Sequence, residues 1–190
     1  MSAKNTDTKQ EILSIARDLM KKVGYNAFSY SDISKQLNIK NAAVHYHYPT
    51  KEDLLADIVN TYIDDYKKLD EGLVNAPLKA IDKLGVFADR YAQLIEVKSI
   101  CIIGSVASDF YTLPPAVRER VILLTKLVLG MVANVLEEGK VKGELHFIED
   151  ANTRALLIMT NLAAGVQLAR ITGKQDFDHI RNAIMLQLKK

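Results

Sequence analysis

Residues 29–51 read SYSDISKQLNIKNAAVHYHYPTK, and two short helical patterns meet there at one asparagine. Ser29-Tyr-Ser-Asp32 has the spacing of a capping box, in which serine and acid each satisfy a free backbone N–H. Ile33 and Leu37, four apart, give the helix that follows one apolar edge. A second helix is expected from about residue 41 to 48 and must stop at Pro49, because the residue before a proline avoids helical geometry. The tight turn between them needs one residue in the left-handed region, and Asn38 tolerates that region best among non-glycine types. Ile39 is then expected to drop into the core. This is the spacing of a helix-turn-helix.

A helix advances about 100° per residue, which sorts the rings of VHYHY. Val44 and Tyr48 share an inward face. Ala42, Ala43 and Tyr46 point outward, flanked by His45 and His47. Alanines let a helix approach base edges and thymine methyls closely, while Asn41, Tyr46 and the histidines can hydrogen-bond bases or phosphates. Lys51 places a charge beside the free N–H groups at the start of the next helix, which suits a phosphate. His45 and His47 lie about 200° apart around the helix and cannot chelate one metal as an i, i+4 pair could. No metal and no cofactor are expected.

Working outward, the 190 residues are 48% apolar and 25% charged, enough for a real core in one domain or two. No stretch is expected to approach the roughly 20 apolar residues of a bilayer span, so no membrane partner is implied. The N-terminus MSAKNTDTKQE lacks the apolar middle of a secretory signal. A single cysteine, Cys101, cannot form an internal disulfide and fits a reducing cytoplasm. The net charge of +2 is uneven: residues 1–51 carry eight basic and four acidic side chains, the remainder 17 and 19. A basic head on a slightly acidic body points to a polyanion met by the head alone.

Other helices follow the same signals. Thr8-Lys-Gln-Glu11 is read as a capping box opening the first helix, with Ile12, Ile15, Ala16, Leu19 and Val23 as its stripe and Gly24 as its stop. Thr50-Lys-Glu-Asp53 opens a longer helix through Leu54, Leu55, Ile58, Tyr62 and Tyr66. Five more are expected at about 78–95, 99–110, 114–138, 150–172 and 175–188, with Gly139 and Gly143 among the breaks. The expected fold is all-α, about nine helices. A three-helix helix-turn-helix DNA-binding domain (1–51) precedes a larger helical domain (52–190). The last two helices are apolar on more than one side and read as half of a bundle completed by a second copy. No nucleophile motif, metal spacing or phosphate loop supports an enzyme, so no catalytic residue is assigned.

The span 8–58 resembles the TetR family of bacterial transcriptional regulators, in its AcrR-like form. An apolar first helix and a Gly-aromatic break, Gly24-Tyr25, precede DISKQLNI, and the recognition helix runs on into HYPTKEDL. The resemblance implies that Asn41, Ala42 and His47 can face bases and that Ser29, His45, Tyr46 and Lys51 approach phosphate. Tyr30, Lys40 and Ala43 complete the candidate DNA-contacting set. Lys40 stands where the family often has a serine cap, and Ala43 where many members have a phosphate-binding Thr or Ser. The C-terminal runs SICIIGSVASDFYTLPPAVRERV and LAAGVQLARITG are similar to those of one common branch. That likeness implies a homodimer through the helices at about 150–172 and 175–188, reading a palindromic operator in double-stranded DNA. It also implies a pocket for a small-molecule effector.

The candidate pocket walls are Tyr62, Tyr66, Phe87, Tyr91, Cys101, Phe110, Met131 and Asn134, although aromatic and Met residues at helical spacing also make ordinary core. The function implied is a ligand-responsive regulator, a repressor, in the bacterial cytoplasm and associated with the nucleoid. The alternative is an α-helical small-molecule binding protein whose head has lost DNA contact.

Overall fold

Helices α1 (Ala3–Val23), α2 (Tyr30–Leu37), α3 (Asn41–His47), α4 (Lys51–Asn75), α5 (Ala80–Glu96), α6 (Ile102–Ala107), α7 (Pro115–Val141), α8 (Ala151–Thr172) and α9 (Lys174–Gln187) carry the chain, with a 3-10 turn at Phe110–Thr112. This computed structural model describes the backbone of residues 3–189 and the side chains of residues 7–189. Among them no strand occurs.

Two compact units emerge. The first holds residues 1–63 and 102–124, the second residues 64–101 and 125–190. Helices α4 and α7 each run without a break from one unit into the other.

In the first unit α2 packs against α1 and α3, and α6 also meets α1. Ile12, Ala16, Met20, Ile33, Val44, Leu54 and Leu55 are fully buried there. The expected α1 stripe is therefore corrected in phase: Met20 is inside, Ile15 and Leu19 are half-buried, and Val23 is exposed. The expected box at Thr8 is also corrected. Helix α1 is already running at Ala3, so Thr8 and Glu11 lie within it and start nothing.

In the second unit α8 packs on α5 and α9, and α9 also touches α5. Phe177 is completely buried, and the α8 backbone comes close to it: a Cβ at Gly165 would stand 3.2 Å from the Phe177 ring and from Ile180. Two contacts fasten the start of α5 to the end of α7 and the residues just after it, and a third braces them. Glu144 accepts from the Ala80 N–H at 2.7 Å, buried Lys83 pairs with Glu138 at 2.9 Å, and Lys142 adds a second cation to Glu138 at 2.6 Å. Hydrogen bonds from Lys142 and then Lys83 hold the Glu138 carboxyl below the usual carboxylate range.

Gly139 lies at the centre of this junction. It was expected to break the chain but sits inside α7, because here glycine serves close approach rather than a turn. A Cβ there would meet Ala80 Cβ and Leu145 Cδ1, each at 2.5 Å. Gly139→Ala should therefore lower stability by about 1–3 kcal/mol through overpacking. A fall in urea midpoint at unchanged m-value is the expected readout.

Helix α8 departs from the expectation that no segment comes near a membrane span. Its 22 residues include a window of mean hydropathy 1.3, long and apolar enough to cross a bilayer by length and composition. The physical reason is two apolar faces on one helix. Ala155, Ile158, Leu162, Val166 and Ala169 are buried, while Leu157 (42% exposed), Leu168 (45%) and Ile171 (85%) are not.

Candidate nucleic-acid interface

The first unit builds this surface from α2, α3 and the start of α4. The Asp32 carboxylate accepts from both the N–H (2.7 Å) and the hydroxyl (2.8 Å) of Ser29, which fixes the first turn of α2. Those bonds, the backbone one first, hold the Asp32 carboxyl below its usual range. Asn38 takes φ 53° and ψ 43°, the left-handed conformation expected of it, and the Ile39 N–H returns to Ser34 O at 3.0 Å. Ile39 itself is only half-buried, a correction to its expected place in the core. The turn is held by backbone bonds and needs no apolar plug.

The phase of α3 agrees with the sequence reading. Val44 is 0% exposed and Tyr48 1%, whereas Tyr46, between them, is 72% exposed. The Tyr48 N–H closes the helix onto Val44 O at 2.9 Å. Thr50 and Asp53 form a full box at the start of α4: the Asp53 N–H donates to Thr50 Oγ1 at 3.1 Å, and Asp53 accepts from Thr50 N–H and hydroxyl.

The structure places Ser29, Lys40, Asn41, Ala42, His45 and Tyr46 in the open, and Ala43 and His47 half-buried. His45 stands edge-on to Tyr30 at 4.7 Å between centroids, and Tyr46 edge-on to His47 at 5.2 Å. Helix α3 starts at Lys40 without a side-chain cap. Two of the expected contacts sit deeper than the rest. Tyr30 is largely buried, its ring edge-on to His45 and its hydroxyl without a hydrogen-bond partner, and it lines the adjacent cleft. Burial pushes its phenol pKa up. Lys51 does not project freely either. Its ammonium is bonded to the carbonyls of Tyr25 and Phe28.

A cleft of about 470 Å³ opens beside these groups, with Ser29, Ser31, Asn41, His45, Pro49 and Lys51 on its walls. Ser31 and Pro49 were not among the DNA-contacting candidates read from sequence. The pair of serines in SYSD flanking one ring was the signal available for Ser31.

The eight candidate effector residues fall on both sides of the division. Tyr62 lies in the first unit, half-buried with the Arg17 guanidinium 4.5 Å from its ring centroid. Phe110, also there, is half-buried beside exposed Tyr111. In the second unit Tyr91 is 2% exposed and meets Phe87 at 5.3 Å between centroids. Its hydroxyl pKa is raised well above the ordinary value, first by burial and then by Tyr66 and Cys101 nearby. So Tyr66, Phe87, Tyr91 and Cys101 gather, and Met131 is buried in the same unit. Asn134 is exposed on α7, where its amide can meet water. Among the described residues no cluster of His, Cys, Asp and Glu could hold a metal.

A left-handed asparagine turn, a buried anchor face and an exposed ring-bearing face define the class, a helix-turn-helix transcriptional regulator. Comparison with known proteins gives the family. Residues 12–58 match the bacterial regulatory proteins of the tetR family, and residues 80–184 match the tetracyclin repressor-like C-terminal domain. The chain belongs to the TetR family. A TetR-family transcriptional regulator from Agrobacterium tumefaciens superposes with a TM-score of 0.91 at 26% identity, covering 98% of this chain and 100% of that one. A TetR regulator from Legionella pneumophila gives 0.86 at 31% identity, covering 96% and 97%. The icaADBC biofilm operon negative regulator IcaR of Staphylococcus epidermidis is 38% identical over 60 residues, 30% of this chain and 32% of that regulator. That match spans about a third of the relative's length.

Proposed function

We propose that this chain is a repressor that binds a palindromic operator as a homodimer and releases it when a small molecule binds. Residues 1–51 serve as the reading head and residues 52–190 as the effector and dimerisation domain. The observation that carries the reading is the split face of α3. Val44 and Tyr48 are buried to hold the helix, while Asn41, Ala42, His45 and Tyr46 are exposed to meet a groove. The exposed apolar stripe of α8 supports the dimer, which would bring two recognition helices to successive major grooves. The protein acts where the chromosome is, in the cytoplasm and at the nucleoid, and performs no catalysis.

Effector control would be a population shift, set by the differential affinity of the compound for two states of the dimer. Helix α4 suits the lever, since it begins beside the reading head and continues into the second unit. Tyr66, Phe87, Tyr91, Cys101 and Met131 are the candidate contacts of the compound.

Selection of bound duplexes from a random pool tests the reading. Palindromes with half-sites about 10 base pairs apart, or a multiple of that, should be enriched. Their affinity should fall linearly with salt on logarithmic axes, as counterion release requires. No enrichment at low salt would sink the DNA reading and leave that of a helical small-molecule binder.

A further inference from the structure

Lys51 opens α4, where a free charge would face a phosphate. Its Nζ instead donates to the carbonyl oxygens of Tyr25 and Phe28, both at 2.5 Å. The same nitrogen lies 4.6 Å from the Tyr25 ring centroid and 4.2 Å from that of Phe28. Both rings are buried. Two charge-assisted hydrogen bonds and two π faces thus hold one ammonium.

Both carbonyls belong to the connection between α1 and α2. That connection begins at Gly24, with φ +91°, and ends at Ser29, the cap of α2. We propose that Lys51 is a positioning residue: it clamps the α1–α2 connection to the start of α4, and so orients the first turn of α2, rather than binding a DNA phosphate. The link to the reading surface is one peptide long. The Phe28 carbonyl that accepts from Lys51 shares its peptide unit with the Ser29 N–H, which donates to Asp32. Two of the three ammonium hydrogens are committed to carbonyls at part-buried sites, so drawing Lys51 away towards a phosphate would leave those acceptors unpaired, which is costly. Burial also lowers the Lys51 pKa, as expected of an ammonium removed from water.

The clamp extends the DNA-binding reading, but its first test is decided in the free protein. Lysine acylation of the native protein is followed residue by residue, with and without enriched duplex. A clamped Lys51 should react on the order of tenfold more slowly than exposed Lys40 in the free protein, because reaction requires local opening. A lowered pKa alone would speed acylation, so slow reaction reports the clamp itself. Lys51 reacting as fast as Lys40 in the free protein, with protection only on duplex, would overturn the proposal.

The second test is a salt titration of duplex binding by Lys51→Met, Lys51→Arg and Lys40→Ala. Loss of a phosphate contact should flatten the logarithmic salt slope by about 0.9. Lys51→Met should weaken binding at every salt concentration and lower the melting temperature, with the slope of the wild type. Lys51→Arg keeps the charge, but a planar guanidinium does not reproduce a compact ammonium between two carbonyls, so neither property should return. A flattened slope in Lys51→Met, or full rescue by Lys51→Arg, would show a phosphate ligand. If the wild type binds no duplex, the DNA reading fails and acylation still decides the clamp.

Discussion

Tyr48→Ala should destabilise the first unit by about 3–5 kcal/mol, the cost of emptying a fully buried aromatic site. The ring is 1% exposed and closes the end of α3, with the Lys9 ammonium 5.0 Å from its centroid. Lys9 is in turn paired with Asp57 at 2.9 Å, so one ring joins α1, α3 and α4. Against a typical domain stability of about 5–15 kcal/mol, the loss is a large fraction of the whole. Tyr46→Ala, two residues away, should leave the denaturation midpoint within about 0.5 kcal/mol of wild type, as for most surface changes. It should instead weaken duplex binding. Chemical denaturation of both variants decides the matter, and the opposite pattern would mean that α3 is turned the other way.

A carboxylate at position 168 should split the dimer. Leu157, Ala164, Leu168 and Ile171 lie within about 60° of one another around α8, and all four are exposed in the single chain. The opposite side of α8 is already spent on α5 and α9. A stripe this long and apolar calls for a partner helix, and a second copy supplies one with the same stripe. In Leu168→Glu a buried, unpaired charge would face that partner, a cost of several kcal/mol at each copy. Sedimentation should then report a monomer with unchanged helicity. Operator affinity should fall by about 10²–10⁴-fold, since two linked half-site contacts become one. A dimer that persists in Leu168→Glu would place the interface elsewhere.

Features set by neighbours in sequence were legible from it. The Asn38 turn, the Ser29 and Thr50 boxes and the burial of Val44 and Tyr48 each depend on residues within four positions. The exceptions have a common cause. Lys51 finds its partners 23 and 26 residues upstream, a distance over which no local pattern carries information. Gly139 was misread because a helix break and a close helix contact call for the same residue, and only Ala80 and Leu145 tell them apart. The box at Thr8 failed because Thr-x-x-Glu also occurs inside helices. Asn134 shows the limit of composition: α7 is apolar overall, yet the helix has an outer side where an amide meets water.

The split face of α3 also bears on how such a protein changes its target. Exposed and buried side chains interleave over residues 41–48, so the groups proposed to face bases carry almost none of the folding energy. Substitutions at Asn41 and Ala42, the exposed candidates for facing bases, would therefore be free to explore new operators without first being rescued by a compensating change elsewhere. A library randomised at those two positions should yield folded proteins in most of its members, and retargeting becomes a search over side chains on a fixed scaffold.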